Sequence, residues 1–409
     1  MFRPTTPLSR PEFVALVALL IATIAFSIDA MLPSLPLIAR ELTPDNVNAA
    51  QLVLAFFILG MGAGTLFAGP LSDTYGRKPV ITIGMGLYCI GAVLAAAAQS
   101  LEMLLAARLI QGLGAAAPRV VAQALIRDLY AGRKMAQISS FVMMVFILVP
   151  SVAPSIGALI ASGFGWRGVF AAFVLFALTT TLWLNIRQPE TLTPENTRSL
   201  KLASLWEAAR EVLGNRLVFL YIGATTIAFV LIFALLTSIQ QLYAETYGRE
   251  ATFHWWFMAG GLLSGLGTVF NAALVMRLGM RRLAITAFAL QLAISLVLLI
   301  WALAADGLPF ALFFFWQVSI FGLTGLTVGN LNALALEPLG HIAGMASSII
   351  TSISTVLSVL IAAPIGLMFD GTPVPLMASA VLCSAAGLWM MRTARRLDPE
   401  PKVVLPGAA

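Results

Sequence analysis

The sequence predicts an all-α, polytopic membrane protein with twelve transmembrane helices in two six-helix bundles. Three observations support this prediction: the composition, the regular spacing of the apolar segments and the distribution of the basic residues. Of the 409 residues, 60% are hydrophobic and only 10% are charged, and the mean hydropathy is +0.94. Soluble domains carry about 25% charged residues, and no soluble fold of this size covers so much apolar surface. The composition therefore excludes a soluble enzyme or binding module.

Twelve apolar segments follow one another along the chain, and each is long enough for the roughly 20-residue helix that crosses a bilayer. They are residues 11–36, 52–72, 79–101, 102–126, 135–166, 168–186, 217–244, 254–276, 283–305, 307–336, 342–369 and 371–391. Inside lipid the backbone needs internal hydrogen bonds, so these segments are predicted to be helices. The alternation of polar and apolar residues that marks a membrane β-barrel is absent from the sequence.

Basic residues fix the predicted orientation. With the N-terminus inside, nineteen of the 24 Lys and Arg residues fall in cytoplasmic segments, and three, Arg40, Arg167 and Arg249, fall in outer loops. The positive-inside rule then places both termini in the cytoplasm. The net charge of +6 follows from this topology, so no nucleic acid partner is expected.

A polar linker divides the chain into two halves. We predict an N-terminal bundle at residues 1–187, a cytoplasmic linker at 188–215 and a C-terminal bundle at 216–409. The second part of the linker, SLKLASLWEAAREVLG, places six apolar residues on one helical face: Leu202, Leu205, Trp206, Ala209, Val212 and Leu213. An amphipathic helix at the cytoplasmic surface is therefore predicted there.

The two halves share a weak internal repeat. The loop after the second segment reads GPLSDTYGRKP, and the loop after the eighth reads VMRLGMRR. Aligning Gly76 with Gly279 places basic residues just after the glycine in both loops, while Met276 stands where the first copy has Asp73. Such a degenerate pair is typical of transporters built from two related halves.

Asp29 is, of the 18 acidic residues, the only one deep inside a predicted span. A carboxylate in lipid is costly and indicates a functional site by default. Burial favours the neutral acid and a nearby cation favours the carboxylate, and a proton carrier needs this balance. Asp29 is therefore predicted to couple transport to protons, and a structural polar link between helices is the alternative.

Arg108 is the candidate cation for Asp29. At ~1.5 Å per residue, Asp29 lies about 24 Å above the inner end of the first span, and Arg108 about 10 Å below the outer end of the fourth. In a hydrocarbon core ~30 Å thick, both residues fall in the outer half. Agreement in depth permits a pairing or a relay between the two side chains, although it does not establish contact.

The fourth segment carries a polar stripe. The residues on this stripe are Arg108, Gln111, Ala115, Arg119 and Gln123, which share one helical face. Small and polar residues on one face are expected to line a substrate cavity, and helix packing through small residues is the alternative. Arg119 has a further alternative, because its long side chain reaches the inner surface by snorkelling.

Two asparagines in the tenth span, Asn330 and Asn332, are candidate hydrogen-bond donors to a substrate, with interhelical hydrogen bonding as the alternative. The sequence shows no Walker-type nucleotide loop, no catalytic serine elbow and no zinc-protease motif. We therefore expect no enzyme activity, no cofactor and no metal site, and a proton gradient as the driving force. The expected partners are a small-molecule substrate, protons and the lipid bilayer, and the protein is expected to be a monomer.

The string GPLSDTYGRKPVI, residues 69–81, resembles the signature loop between helices 2 and 3 of the major facilitator superfamily. A tight loop needs a glycine that accepts positive φ, and Gly76 supplies one. The resemblance implies a conformational latch between the two halves. The latch residues would be Gly69, Asp73, Gly76, Arg77 and Lys78. A plain positive-inside loop is the alternative.

Further strings are similar to one group within that superfamily, the drug/proton antiporters. RLIQGLGAAAPRVVAQALIRD, from Arg108 to Asp128, resembles the group's helix-4 motif, and SIDAMLP resembles its helix 1. LVPSVAPSIGALI resembles its helix-5 motif, although Ala153 and Ala158 replace glycines. The alanine-proline version, like GFGWRGVF, is similar to the bicyclomycin-resistance (Bcr/CflA) branch. The residues that would bend helix 5 are Pro150, Pro154 and Gly157.

The resemblance implies a function. We expect a secondary transporter of the bacterial inner membrane that expels small hydrophobic or amphipathic drugs in exchange for protons. Helix 5 would contribute to gating and limit proton leak, with plain kinking as the alternative. A second hypothesis is transport of a metabolite such as a sugar, nucleoside or amino acid. A membrane enzyme or a sensor is a third, but the sequence shows neither clustered acids and histidines nor an added soluble domain.

Overall fold

The computed structural model describes residues 8–193, 202–305 and 307–398. The predicted linker segment 194–201 and both chain ends lie outside these ranges. Thirteen α-helices make up most of the described residues, and these contain no strand. The helices are α1 Arg10–Asp29, α2 Leu35–Leu42, α3 Leu52–Tyr75, α4 Arg77–Ala96, α5 Leu101–Leu129, α6 Gly132–Arg187, α7 Leu202–Gly214, α8 Arg216–Gln241, α9 Phe253–Leu278, α10 Met280–Ala304, α11 Phe310–Leu336, α12 Ala343–Leu367 and α13 Val374–Leu397.

The helices make twelve crossings of the membrane. Ten apolar helical runs are long enough to cross a bilayer among the described residues, and two of these fold back on themselves. α6 has 56 residues, or about 84 Å at 1.5 Å per residue, nearly three times a hydrocarbon core of about 30 Å. It breaks at Gly165, whose φ is 68°. The other run contains α11 and α12, which are joined by the 3₁₀ turn Glu337–Ile342. The sequence prediction of twelve spans is confirmed.

Side-chain caps start two of the helices. Ser100 Oγ accepts a hydrogen bond from the backbone N–H of Met103 at the start of α5. Asn215 Oδ1 accepts from the N–H groups of Leu217 and Val218 at the start of α8. These caps satisfy donors that have no partner inside the helix.

Two bundles pack side by side. In the first, α5 packs against α3 and α4, and α1 packs against α6; in the second, α8, α10, α11, α12 and α13 pack together. The bundles meet where α3 contacts α12 and where α6 contacts α9. Glycines allow these contacts to be close: a Cβ on Gly62 would lie 3.0 Å from Val356 Cγ2, and one on Gly261 would lie 2.8 Å from Ser151 Oγ. The interface therefore has little room for larger side chains.

The even number of crossings returns the chain to the face where it starts. We call this the terminal face, because it carries the start of α1 and the end of α13. Ion pairs join distant segments there. Arg187 Nε at the end of α6 lies 2.8 Å from Glu12 Oε1, and Arg281 Nη2 lies 2.7 Å from Asp398 Oδ2 just after α13. The opposite face is called the far face below.

A polar cluster joins the two bundles at the far face. Asn48 Nδ2 donates to the backbone carbonyls of Leu367, at 3.2 Å, and Phe369, at 2.8 Å. Gln241 Nε2 donates to Asn48 Oδ1 at 3.0 Å, and Gln51 Nε2 donates to Gln241 Oε1. We call Asn48, Gln51 and Gln241 the far-face clamp. These bonds hold the bundles together at this face.

The amphipathic linker helix is present as α7, and part of its apolar face packs against the protein. Ala208 and Val212 are buried, and α7 packs against α8 and α12. Trp206 and Leu213, which belong to the predicted apolar face, are exposed. The neighbouring helices therefore cover a narrower strip of α7 than its apolar pattern suggests, and an exposed tryptophan suits the membrane–water interface.

Candidate functional site

Asp29 lies at the C-terminal end of α1, 5% exposed. No described residue donates a hydrogen bond to its carboxylate or forms an ion pair with it. The chain turns directly after it, and Gly157 of α6 packs against that turn. A Cβ on Gly157 would lie 2.0 Å from the carbonyl oxygen of Ala30. A glycine of the predicted helix-5 motif thus permits α6 to touch the backbone next to Asp29.

Arg108 lies inside the first bundle with no exposed surface. Its guanidinium donates to Val53 O at 3.1 Å, to Gln111 Oε1 at 2.7 Å and to Ser27 O at 3.1 Å. The Phe57 ring centroid lies 4.3 Å from its Cζ. The side chain therefore joins α5 to α1 and α3.

Arg108 and Asp29 do not pair in this structure. The contact between them is indirect, because Arg108 holds the carbonyl of Ser27, two residues before Asp29. A depth argument along the helix axes predicted two groups at one level, but it carries no information on the direction in which each side chain points. The direct pairing that the sequence permitted is replaced by a contact through the backbone of α1.

Two further residues complete the polar cluster around Arg108, and the sequence analysis missed both. Ser27 Oγ and Tyr88 OH share a hydrogen bond of 2.6 Å, and Tyr88 of α4 is fully buried. Polar side chains in apolar spans are the signal that could have identified them. We call Ser27, Tyr88, Arg108 and Gln111 the Arg108 cluster.

Exposure increases along the predicted stripe of α5 toward the terminal face. Arg108, Gln111 and Ala115 are fully buried, Arg119 is half-buried and Gln123 is exposed. Gln111 and Ala115 therefore lie in the packed interior here and do not line an open cavity. The Arg119 guanidinium approaches Met61 Sδ at 3.7 Å and forms no ion pair with a described residue.

The predicted latch loop lies between α3 and α4. Gly76 has φ 103°, as the sequence predicted, and the equivalent Gly279 has φ 82° between α9 and α10. The aligned glycines of the internal repeat therefore occupy equivalent positions. A Cβ on Gly69 would lie 3.0 Å from Ser348 Oγ of α12. This part of the loop region thus reaches the other bundle.

Arg77 connects the loop to the end of α5. Its Nη1 lies 2.5 Å from Asp73 Oδ1, and its Nε lies 2.9 Å from Asp128 Oδ2. The same Nη1 donates to Ser72 Oγ at 2.8 Å. Lys78 Nζ donates to the carbonyl of Asn185 at 3.2 Å. Both basic residues are largely buried, so they are structural anchors and not freely solvated charges.

Glu190 of the linker belongs to the same cluster, and sequence analysis missed it. Its carboxylate accepts hydrogen bonds from the backbone N–H groups of Arg77, at 3.0 Å, and Lys78, at 2.9 Å. Thr191 Oγ1 donates to Asp128 Oδ2 at 2.8 Å. A carboxylate at a helix N-terminus is favoured by the helix dipole. The start of the linker is thereby attached to the latch loop.

The helix-5 motif leaves the helix continuous. α6 runs through Pro150 and Pro154, and its interior is interrupted at Gly165, whose dihedral angles are not helical. The sharp turn at Gly165 separates the two legs of α6 at the far face. The motif's contribution here is the close contact of Gly157 with α1.

The two asparagines of α11 differ in their surroundings. Asn330 is buried, and its Nδ2 donates to Asn271 Oδ1 of α9 at 2.7 Å and to Leu326 O at 2.8 Å. Asn330 thus forms an interhelical hydrogen bond, which the sequence analysis gave as the alternative to substrate binding. Asn332 is half-buried, and its place in a substrate cavity stays a prediction.

The fold and these buried ionisable groups define a membrane transporter built from two six-helix bundles. The chain belongs to the Major Facilitator Superfamily, whose family model matches residues 16–363. The sequence-based family assignment is confirmed.

Two of the chain's relatives carry drug-resistance names. The chain is 30% identical to a bicyclomycin resistance protein homolog of Haemophilus influenzae over 88% of this chain and 89% of the relative. It is 32% identical to the multidrug resistance protein MdtL of Shigella flexneri over 78% of this chain and 80% of the relative. Among solved structures, a partially occluded inward-open xylose transporter XylE of E. coli has a TM-score of 0.70 at 16% identity, covering 95% of this chain and 98% of that one. At that identity, the last likeness shows the fold alone.

Proposed function

We propose that this protein is a proton-coupled exporter of small hydrophobic or amphipathic compounds, working by alternating access between its two bundles. The observation that carries the proposal is Asp29, a buried carboxylate in α1 without an ion-pair partner among the described residues. A carboxyl group in such a place gains and loses a proton when its exposure changes. The drug-resistance names of the relatives support efflux as the direction of transport.

Asp29 carries the proton, and the Arg108 cluster positions it. Arg108 holds the Ser27 carbonyl, and Gly157 packs on the Ala30 carbonyl, so the backbone on both sides of Asp29 is fixed by neighbouring helices. A movement of α6 or α5 therefore moves Asp29 relative to the space between the bundles. The protonation of Asp29 and the exposure of the substrate cavity are coupled through these contacts.

The substrate cavity lies between the bundles and opens toward the terminal face. The accessible part of the α5 stripe, Arg119 and Gln123, supports this location, as does the closed far-face clamp. The excess of basic residues in terminal-face loops supports a cytoplasmic terminal face and a place in the bacterial inner membrane. In the alternative state, with the terminal face closed, the latch loop would hold the two bundles together, and Glu190 would keep the loop in position through the backbone N–H groups of Arg77 and Lys78.

Purified protein in lipid vesicles tests this proposal. With an imposed proton gradient, internal pH is followed while lipophilic cations, neutral antibiotics and common metabolites are added one at a time. We expect proton movement on addition of lipophilic drugs, absent in Asp29→Asn and retained in Asp45→Asn, whose side chain is exposed in the loop after α2. A response to metabolites alone would replace drug efflux with metabolite transport. An unchanged response in Asp29→Asn would contradict the role of Asp29.

A further inference from the structure

Arg119 is an arginine inside a membrane span that has no anionic partner among the described residues. Its guanidinium pairs with no described carboxylate, and its hydrogen-bond contact is with Met61 Sδ at 3.7 Å. Other buried arginines have oxygen acceptors: Arg77 and Arg281 contact carboxylates, and Arg108 donates to three oxygens. A charge held away from bulk water without a counter-ion is costly. The position of Arg119 therefore favours an anion from outside the protein.

The Arg119 side chain points toward the middle of the membrane. Arg77 contacts both Asp73 and Asp128, so these two acids mark one level near the terminal face. At ~1.5 Å per residue, Arg119 lies about 14 Å from Asp128 along α5, and Met61 lies about 18 Å from Asp73 along α3. The guanidinium thus contacts a group deeper than its own backbone. A snorkelling side chain would point the other way, so this contact argues against the snorkelling alternative.

The Arg119 guanidinium lies beside the seam between the bundles. Val120, the next residue of α5, lies close to Gly69 of α3, and Gly69 faces Ser348 of α12. A Cβ on Gly69 would lie 3.8 Å from Val120 Cγ1 and 3.0 Å from Ser348 Oγ. Arg119 itself is half-buried, and Gln123, one turn nearer the terminal face, is exposed. A substrate in the proposed cavity, which opens toward the terminal face, can therefore reach the guanidinium.

Asp29 is too distant to serve as the counter-ion of Arg119. Arg108 contacts the carbonyl of Ser27, two residues before Asp29, and Arg119 lies eleven residues further along α5, or about 16 Å. Asp29 is only 5% exposed, and Arg108 has no exposed surface. Arg119 is thus a charge of the membrane interior that stays accessible while the other two are enclosed by their own bundle.

We propose that Arg119 selects the substrates of the exporter, and that these are amphipathic organic anions. The carboxylate of such a substrate binds the guanidinium, and its apolar body lies against Met61. This assignment rests on the proposed export function and adds the charge of the substrate to it. A guanidinium holds a carboxylate through two parallel hydrogen bonds. An organic cation of the same shape is rejected, because it would face the guanidinium.

Calorimetry on the full chain in lipid nanodiscs at neutral pH, with empty nanodiscs as the blank, tests the charge selectivity without any transport. The probe is 1-naphthoate, with 1-naphthylmethanol and 1-naphthylmethylammonium as neutral and cationic analogues. We expect 1-naphthoate to bind about tenfold more tightly than either analogue. Its Kd should rise about tenfold or more in Arg119→Gln and less than about threefold in Arg119→Lys, which keeps the charge. The matched control is Arg127→Gln at an exposed position of α5, which should bind 1-naphthoate as the wild type does.

Two results of this calorimetry would overturn the proposal directly. They are an unchanged affinity for 1-naphthoate in Arg119→Gln and equal or tighter binding of the ammonium analogue. Displacement of 1-naphthoate by an equal concentration of chloride or acetate would overturn it as well, because Arg119 would then hold a simple counter-ion.

A labelling experiment locates the anion and covers the case in which Arg119→Gln fails to fold. Gln123→Cys places a thiol one turn from Arg119 in a chain whose Cys89 and Cys383 are replaced by serine. Saturating 1-naphthoate should slow maleimide labelling of this thiol, and 1-naphthylmethanol should not. Equal labelling with and without 1-naphthoate would overturn the proposal.

Failure of this inference and failure of the proposed function give different results. Proton movement on addition of lipophilic cations to vesicles, without any binding of 1-naphthoate, would refute the anion selectivity and leave proton-coupled export standing. Binding of 1-naphthoate that depends on Arg119, without proton movement in vesicles, would support the anion site and refute the coupling.

Discussion

Replacing Arg108 by lysine keeps the positive charge but removes the geometry on which the Arg108 cluster depends. The guanidinium reaches three acceptors at once: Val53 O on α3, Gln111 Oε1 on α5 and Ser27 O on α1. A lysine ammonium is a single donor centre on a flexible stem and cannot reproduce that planar fork. We therefore expect Arg108→Lys to separate the end of α1 from α5.

The expected loss of stability in Arg108→Lys follows from the contacts that the substitution removes. Two of the three hydrogen bonds join different helices, and each such bond in a membrane protein contributes about 1 kcal/mol. The contact of the guanidinium with the Phe57 ring, 4.3 Å away, adds about 0.5 kcal/mol or more. The expected loss of stability is about 2 kcal/mol, which corresponds to a fall in melting temperature of about 4–8 °C for a bundle of this size.

The assay is thermal denaturation of purified protein in detergent, followed by size-exclusion chromatography of the fraction that stays folded. The matched control is Arg119→Lys on the same helix, because the Arg119 guanidinium has a hydrogen-bond contact only with Met61 Sδ among the described residues. We expect that control to lie within about 1 °C of the wild type. The reasoning is refuted if Arg108→Lys melts no lower than Arg119→Lys.

Three further predictions concern the latch loop and the far-face clamp. Gly76→Ala should lower the melting temperature by several degrees, because φ 103° is strained for alanine and the Cβ would lie 2.9 Å from Glu190 Oε2. Gly86→Ala, whose Cβ meets open space, should leave the melting temperature unchanged. Glu190→Gln should lower the free energy of unfolding by about 1 kcal/mol, and higher salt should reduce this loss of stability relative to the wild type. A loss of stability that does not depend on salt would contradict the electrostatic account. Asn48→Ala removes three hydrogen bonds between the bundles and should raise the far-open population about fivefold or more, measured as faster thiol labelling at the far face. An unchanged labelling rate would remove Asn48 from the clamp.

Much of the fold follows from the sequence. The twelve spans are predicted by comparing the lengths of the apolar segments with the thickness of the bilayer, through the rise per residue of an α-helix. The positive φ of Gly76 and Gly279 follows from a tight loop between two helices. The fold-back in α6 was also placed correctly, because the predicted segments 135–166 and 168–186 meet next to the break at Gly165. The predicted bend at Pro150 and Pro154, residues that physical reasoning marks as helix breakers, does not interrupt the helix.

The candidate site is less accessible to sequence reasoning. The sequence identifies Asp29 and Arg108, because ionisable residues in apolar spans are rare. It does not give their partners, since helix rise fixes the height of a residue but not the direction of its side chain. Glu190 binds backbone N–H groups more than one hundred residues earlier in the chain, and no local pattern encodes such a contact. The burial of Gln111 likewise depends on how closely α4 approaches α5.

The most direct test of the central claim is proton release on substrate binding, measured in weakly buffered detergent solution with a pH indicator. A compound identified by the vesicle assay is added to wild-type protein, Asp29→Asn and Asp45→Asn. The account predicts that binding releases protons from the wild type and from Asp45→Asn, and that Asp29→Asn binds the compound without releasing any. Equal proton release from Asp29→Asn would show that another group carries the proton and would contradict the account.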